Sequence, residues 1–188
     1  MADGTLKVEN IQTSSGSGTI TLGQSGETVV FGSGVTTKFN QPAWSVYLSS
    51  NQSVPNTTAT KINFDSINFD SDSVYDNSTD YEVTIPTGKG GKYWMYIRLW
   101  IDNIDGSDEV ATARLYKNGS LLSDPTFLAG MNGSGTTGDG GKVYINVSGL
   151  VTASDGDTFS VYCYHNSGAT ENARGGNCSF HGYRLGVE

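Results

Sequence analysis

The chain has 188 residues with net charge −8, only 16% charged residues and 11% aromatic ones. Gly, Ser and Thr make up more than a third of it while Ala and Leu are scarce, which excludes an all-helical or coiled-coil protein, and the aromatics exclude a wholly disordered one. The acid excess argues against a nucleic-acid partner, and no apolar run approaches the roughly 20 residues that a membrane helix needs.

In chain order, residues 1–39 contain no Trp or Tyr and alternate small turns with very short β segments. Ser17-Gly18-Thr19-Ile20-Thr21-Leu22-Gly23 is echoed by Ser25-Gly26-Glu27-Thr28-Val29-Val30-Phe31-Gly32, and Ser33-Gly34-Val35-Thr36 begins a third copy. Segments this short bury no core of their own, so an extended attachment segment held by a partner is expected. The opening Met1-Ala2-Asp3-Gly4 lacks the basic and apolar regions of a secretory leader. Synthesis in a cytoplasm is therefore expected.

From residue 40 onward strand signals recur with turns between them. Residues 43–49 alternate Trp44, Val46 and Leu48 against Ser45, Tyr47 and Ser49. Short strands are expected at 60–64 and at 81–85, the latter stopped by Pro86. Residues 93–102 form the longest strand. Met95, Ile97 and Leu99 take one face of it, and Trp94, Tyr96, Arg98 and Trp100 the other. Residues 111–117 end at Asn118-Gly119, a strong hairpin signal. Strands over 142–147, 157–164 and 178–185 complete the set. Eight strands without a convincing helix predict an all-β sandwich or jelly roll over residues 40–188.

Several stretches now fall into a recognisable order. They are Phe64-Asp65, Asn68-Phe69-Asp70, Tyr75-Asp76, Val83, Ile85-Pro86 and Gly91-Lys92-Tyr93. Lys117-Asn118-Gly119 follows, then Leu150 with Asp155-Gly156-Asp157-Thr158-Phe159-Ser160-Val161, and last Phe180-His181-Gly182-Tyr183. Residues 40–188 thus resemble the globular C1q-like domain, which shares its jelly roll with the tumour-necrosis-factor group. The resemblance implies a jelly roll of ten strands or fewer that closes as a homotrimer. Residues 1–39 lack the Gly at every third position of a collagen stalk. Their texture, from Leu6-Lys7-Val8-Glu9-Asn10-Ile11-Gln12-Thr13 onward, resembles the attachment regions of tailed-bacteriophage fibre and virion proteins. That likeness implies a virion location and other virion proteins as partners.

Residue constellations add little chemistry. Cys163, His165, Cys178 and His181 hold four candidate zinc ligands. Cys163 and His165 share a strand face, but Cys178 and His181 point opposite ways on a regular strand. A Cys163–Cys178 bridge is open geometrically, though a cytoplasm keeps thiols reduced, and two half-buried thiols are the favoured reading. His165 and His181 read as a strand-edge and a surface histidine. Asp65, Asp70, Asp72, Asp76 and Asp80 cluster in one stretch, and Asp102, Asp105, Asp108 and Glu109 in another. Calcium is the ion such oxygen clusters take, with Asp70, Asp72, Asp105 and Asp108 as candidates. No EF-hand pattern fits, and solvated loops are the favoured reading; no other cofactor is expected. There is no Gly-x-Ser-x-Gly elbow and no phosphate-binding Gly loop, so enzyme activity is not expected.

The second face of the longest strand is the most informative local feature. A lone sandwich needs one apolar face per sheet, yet Trp94, Tyr96 and Trp100 lie opposite the aliphatic face. A loop or residues 1–39 could cover them. The functional reading is a trimer interface of Trp94, Tyr96, Arg98 and Trp100, joined by Tyr183 because the resemblance sets the closing strand beside this one. The expected function is a trimeric fibre or capsid-decoration protein of a tailed phage, its head contacting a host-surface glycan or protein. A bacterial surface or secreted carbohydrate-binding module is the alternative.

Overall fold

The computed structural model describes residues 41–123, 129–132 (as backbone) and 141–186, together with the single positions Ile11, Thr28, Val30 and Ser33. The chain divides into two units, Met1–Phe39 and Asn40–Glu188. Apart from those single positions, the expected attachment segment lies outside the described residues.

The second unit is built from two antiparallel sheets, with no helix among the described residues. At the centre of the first sheet runs β7 (Gly91–Ile101). Along one edge it pairs over its whole length with β11 (Val143–Ala153). Its other edge takes β14 (Ser179–Gly186) and, at the Ile101 end, β13 (Glu171–Ala173). β1 (Ala43–Tyr47) pairs with β14, and β4 (Ser66–Asp70) closes that side. β2 (Gln52–Val54) pairs with β13.

The second sheet runs in the order β10 (Ala129–Asn132), β8 (Val110–Lys117), β12 (Thr158–His165), β6 (Glu82–Thr84) and β5 (Tyr75–Asp76). β3 (Thr60–Lys61) adds to β12, and β9 (Ser120–Leu121) to β8. This arrangement is a jelly-roll sandwich.

Period-2 alternation explains the core. On β7, Tyr93, Met95, Ile97, Leu99 and Ile101 are all fully buried. On β11, Val143, Ile145, Val147, Val151 and Ala153 face the same way. From β1 come Trp44 and Val46; from the second sheet, Leu115, Phe159, Val161 and Cys163. Trp44 packs edge-on against Phe180, with ring centroids 5.5 Å apart.

Carboxylates tie the loops. Asp155 accepts the N–H groups of Gly88, Lys89 and Gly90 at 2.7, 3.1 and 2.7 Å. These bonds lash the β6–β7 loop to the β11–β12 turn and hold its carboxyl below the ordinary value. Asp157 pairs with Lys117 at 2.7 Å.

Several expectations shift. The strand expected over 142–147 runs on to Ala153, because inward Val151 and Ala153 continue the alternation across Gly149, which simply pairs with Met95. Six strands of two to five residues, β2, β4, β5, β9, β10 and β13, went unpredicted. They carry little apolar alternation and exist by pairing to a neighbouring strand. His165 is not a strand-edge histidine. It is fully buried, with Nε2 2.8 Å from the Val54 carbonyl oxygen, which supplies the partner that a buried ring requires. Cys163 and Cys178 are free thiols and fully, not half, buried.

Candidate functional site

The outward positions of the first sheet form cross-strand rows. Leu150 of β11, Trp94 of β7, Tyr183 of β14 and Ala43 of β1 stand directly opposite one another in succession. The next row runs Ser148, Tyr96, His181, Ser45 and Phe69. Asn146, Arg98, Ser179 and Tyr47 form a third, and Tyr144 with Trp100 a fourth. Directly opposed side chains on one sheet face lie within contact reach, so each row is one continuous strip.

The first row is apolar and open. Leu150 is 49% exposed, Tyr183 47% and nearby Leu185 51%, with Trp94 half-buried among them. Phe69, at the edge of the second row, is 53% exposed. A contiguous apolar strip of this kind is uncommon on a surface left in water and marks interaction sites.

The second row is ordered by its own bonds. The Tyr96 ring stacks on His181 at 5.7 Å, and its hydroxyl donates to Asn146 Oδ1 at 2.7 Å. His181 Nδ1 lies 2.9 Å from Ser45 Oγ, and Nε2 2.9 Å from Ser179 Oγ. Burial, and secondarily the Arg98 guanidinium, push the His181 pKa below its ordinary value, so the ring is neutral at pH 7. Arg98 itself is exposed and has no hydrogen-bond or ion-pair partner among the described residues. It lines a cavity of about 340 Å³ with Tyr47, Asn68, Asn177 and His181.

Trp100 stands apart from the rest of the expected interface. Its ring packs 4.4 Å from that of Tyr144, with Arg174 and Lys142 over it at 5.2 and 5.7 Å. Arg174 also bonds Asp102 at 3.4 Å. Trp100 is therefore covered by its own chain, and its Nε1 is buried without a partner among the described residues. The open part of the face is the end holding Trp94 and Tyr183.

Reading the stripe along one strand found Trp94, Tyr96, Arg98 and Trp100 but missed Leu150, Leu185, Phe69 and Tyr144. Their signal is the register of β11 and β14 against β7 and of β4 against β1, which alternation within one strand does not contain. A second outward cluster was also missed, on the other sheet. Tyr116 stacks on Tyr162 at 4.0 Å, and Arg114 lies over Tyr164 at 4.3 Å.

The candidate metal ligands are not brought together. Among the described residues no three of His, Cys, Asp and Glu are placed to hold an ion. Asp70 caps the N–H groups of Val74 and Tyr75 at 2.9 and 2.8 Å. Asp72 accepts from the Ser71 hydroxyl. Asp105 and Asp108 lie on a different loop, after β7, where Glu109 takes the Asp105 and Gly106 N–H groups and the Asp108 carbonyl accepts from Asn166. Of the four zinc candidates, Cys163 and His165 point into the core, Cys178 accepts the Trp100 N–H, and His181 faces outward.

No family model and no curated protein matches the sequence. Solved structures do match. The globular domain of zebrafish complement 1qA protein superposes with a TM-score of 0.52 at 14% identity, over 79% of this chain and 99% of that one. The Eiger TNF of S. frugiperda superposes with a TM-score of 0.53 at 10% identity, over 80% of this chain and 96% of that one. At such identities the likeness is one of fold, and the fold of residues 40–188 is the C1q/TNF-type jelly roll.

Proposed function

We propose that this chain is a non-enzymatic structural and adhesive protein that works as a homotrimer, with the outer face of the first sheet packed around the threefold axis. The observation that carries the reading is the open apolar row Leu150–Trp94–Tyr183, flanked by Leu185. Trp and Tyr are the residue types enriched in interfaces, and a heterologous contact of this kind closes a ring. Arg98 then meets a carboxylate or carbonyl of a neighbouring copy, because an interface that left it unpaired would be costly. The texture of residues 1–39 supports placing the trimer on a tailed-phage particle, as a fibre or decoration protein. There the segment attaches to other virion proteins, and the jelly-roll head faces the host.

The test is the solution mass of the wild type and of Trp94→Ala with Tyr183→Ala at micromolar chain concentration. Each aromatic contributes about 2 kcal/mol at a hot spot, so the wild type is expected to be trimeric and the double variant to dissociate. A monomeric wild type, or a double variant that stays fully trimeric, refutes the interface. Deleting residues 1–39 should leave the trimer folded while abolishing its association with the particle.

A further inference from the structure

Away from the rows of the first sheet lies a cavity of about 370 Å³, at the small end of ligand sites, which span about 300–1,000 Å³. Its walls come from the β1–β2 loop (Ser50, Asn51), from β2 (Ser53), from the crossing between the sheets (Asn63, Asp65) and from Tyr81 just before β6, with Leu48 beneath. None of these residues belongs to the rows described above.

Two features show a site held in shape by its surroundings. First, Gln52 spends both ends of its amide on the walls. Its Nε2 donates to the Lys61 carbonyl at 2.7 Å, and its Oε1 accepts the Asn63 N–H at 2.8 Å. Asn51 Oδ1 likewise accepts the Gly175 N–H. Second, Tyr81 stands in left-handed backbone, φ +50°, a region that an aromatic residue rarely enters. The chain there is pinned on both sides: Lys61 Nζ donates to the Asp80 carbonyl at 2.8 Å and pairs with Glu82 at 3.4 Å. Strained backbone of this kind persists where the surroundings over-determine it and collects at functional sites.

What the walls leave unspent defines the ligand. Among the described residues, Asn51 Nδ2, the Asn63 amide and the hydroxyls of Ser50, Ser53 and Tyr81 have no hydrogen-bond partner. These groups together offer both donors and acceptors, as a polyhydroxylated ligand requires, and the Tyr81 ring offers an apolar plane to the C–H face of a sugar. Asp65 is held in place by the Ser49 N–H at 2.8 Å and its hydroxyl at 2.5 Å. Burial opposes its ionisation, but hydrogen bonds from Ser49, its own backbone and Ser66 together hold the carboxyl below its ordinary value. Among the described residues it is the single charged side chain lining the cavity, in a chain of net charge −8, so anionic sugars are disfavoured.

We infer that this cavity is a binding site for a neutral saccharide, hydrogen-bonded by Asn51, Asn63 and Asp65 and packed on Tyr81. This names the class of surface that the head engages and rests on the adhesive reading above.

The test is saturation-transfer NMR on the full chain with the methyl glycosides of glucose, galactose, mannose and N-acetylglucosamine, each at about 10 mM, with N-acetylneuraminic acid as the anionic control. At least one neutral glycoside should show saturated ring protons, and the acidic sugar none. Asn63→Ala and Tyr81→Gly should each weaken the effect about tenfold; glycine accepts the positive φ at position 81, so the second variant folds. Silence from every neutral glycoside, binding of the acidic sugar alone, or full signal in both variants overturns the site. Solution mass measured on the same samples separates the two ideas. A trimer without a sugar signal overturns the site alone, and a monomer that still takes a sugar overturns only the trimer.

Discussion

Gly182→Ala should cripple the fold through one contact. Gly182 lies on β14 between Trp44 of β1 and Met95 of β7. A Cβ added there would stand 2.2 Å from Trp44 Cζ2 and 2.4 Å from Cη2. Carbon atoms in contact settle at about 3.5–4.0 Å, so more than an ångström must be found. The indole cannot retreat: it is 1% exposed and packed between Tyr93, at 6.1 Å, and Phe180, at 5.5 Å. Overpacking of this kind costs about 1–3 kcal/mol, or roughly 2–4 °C of Tm for each kcal/mol in a chain of this size. Urea unfolding followed by tryptophan fluorescence measures it. The chain concentration must be held fixed, because assembly couples to stability. Gly186→Ala on the same strand is the control, since no atom of the described residues lies within 4 Å of its added Cβ, and it should stay within about 0.5 kcal/mol of wild type. Trp44→Phe should partly rescue Gly182→Ala, with a coupling energy of about 1 kcal/mol or more. A Gly182→Ala protein as stable as the control, or additive single and double variants, refutes the clash.

Two further outcomes follow from the buried and capped groups. The backbone N–H groups of Ser78 and Thr79 hold Asp76 at about 2, and those of Gly88, Gly90 and Lys89 lower Asp155, against an ordinary 3.8. Folded values below the unfolded one mean that these carboxylates stabilise the protein fully above 3.8, and that this is lost as pH falls through the folded values. Stability measured against pH should therefore drop on the acid side of 3.8. Asp155→Ala should shallow that drop and speed amide exchange at Gly88 and Gly90, and an unchanged profile counts against the clamp. Burial pushes the Cys163 thiol up to about 12 and raises Cys178 as well. The native protein should thus be inert to an aromatic disulfide reagent at mildly alkaline pH and titrate two thiols only on denaturation. Rapid native reaction would show that one of them is accessible.

Much of the architecture was legible because alternation is local. The two faces of β7 could be read residue by residue, and the Asn118-Gly119 hairpin is confirmed by positive φ at both positions, +51° and +74°. Gly156, at φ +80°, makes the β11–β12 turn that precedes the strand expected over 157–164. Legibility failed where a strand owes its existence to a neighbour, as in β4 and β13, and where a polar side chain is matched from afar. His165 looks exposable in sequence and is buried because the Val54 carbonyl, 111 residues away, accepts its Nε2–H.

The sequence by itself determined the all-β class, the inward set Met95, Ile97 and Leu99, and the surplus of aromatic side chains on the opposite face of β7. Only the tertiary structure decided which of those aromatics remain open. Trp100 is closed over by Arg174, Lys142 and Tyr144, whereas Trp94 is extended into a strip by Leu150 and Tyr183. The physical reason is register. A strand's period of two is written in its own residues, but a one-residue slip of a partner would turn every neighbouring side chain to the other face. That alignment is set by contacts between segments roughly 40 to 95 residues apart.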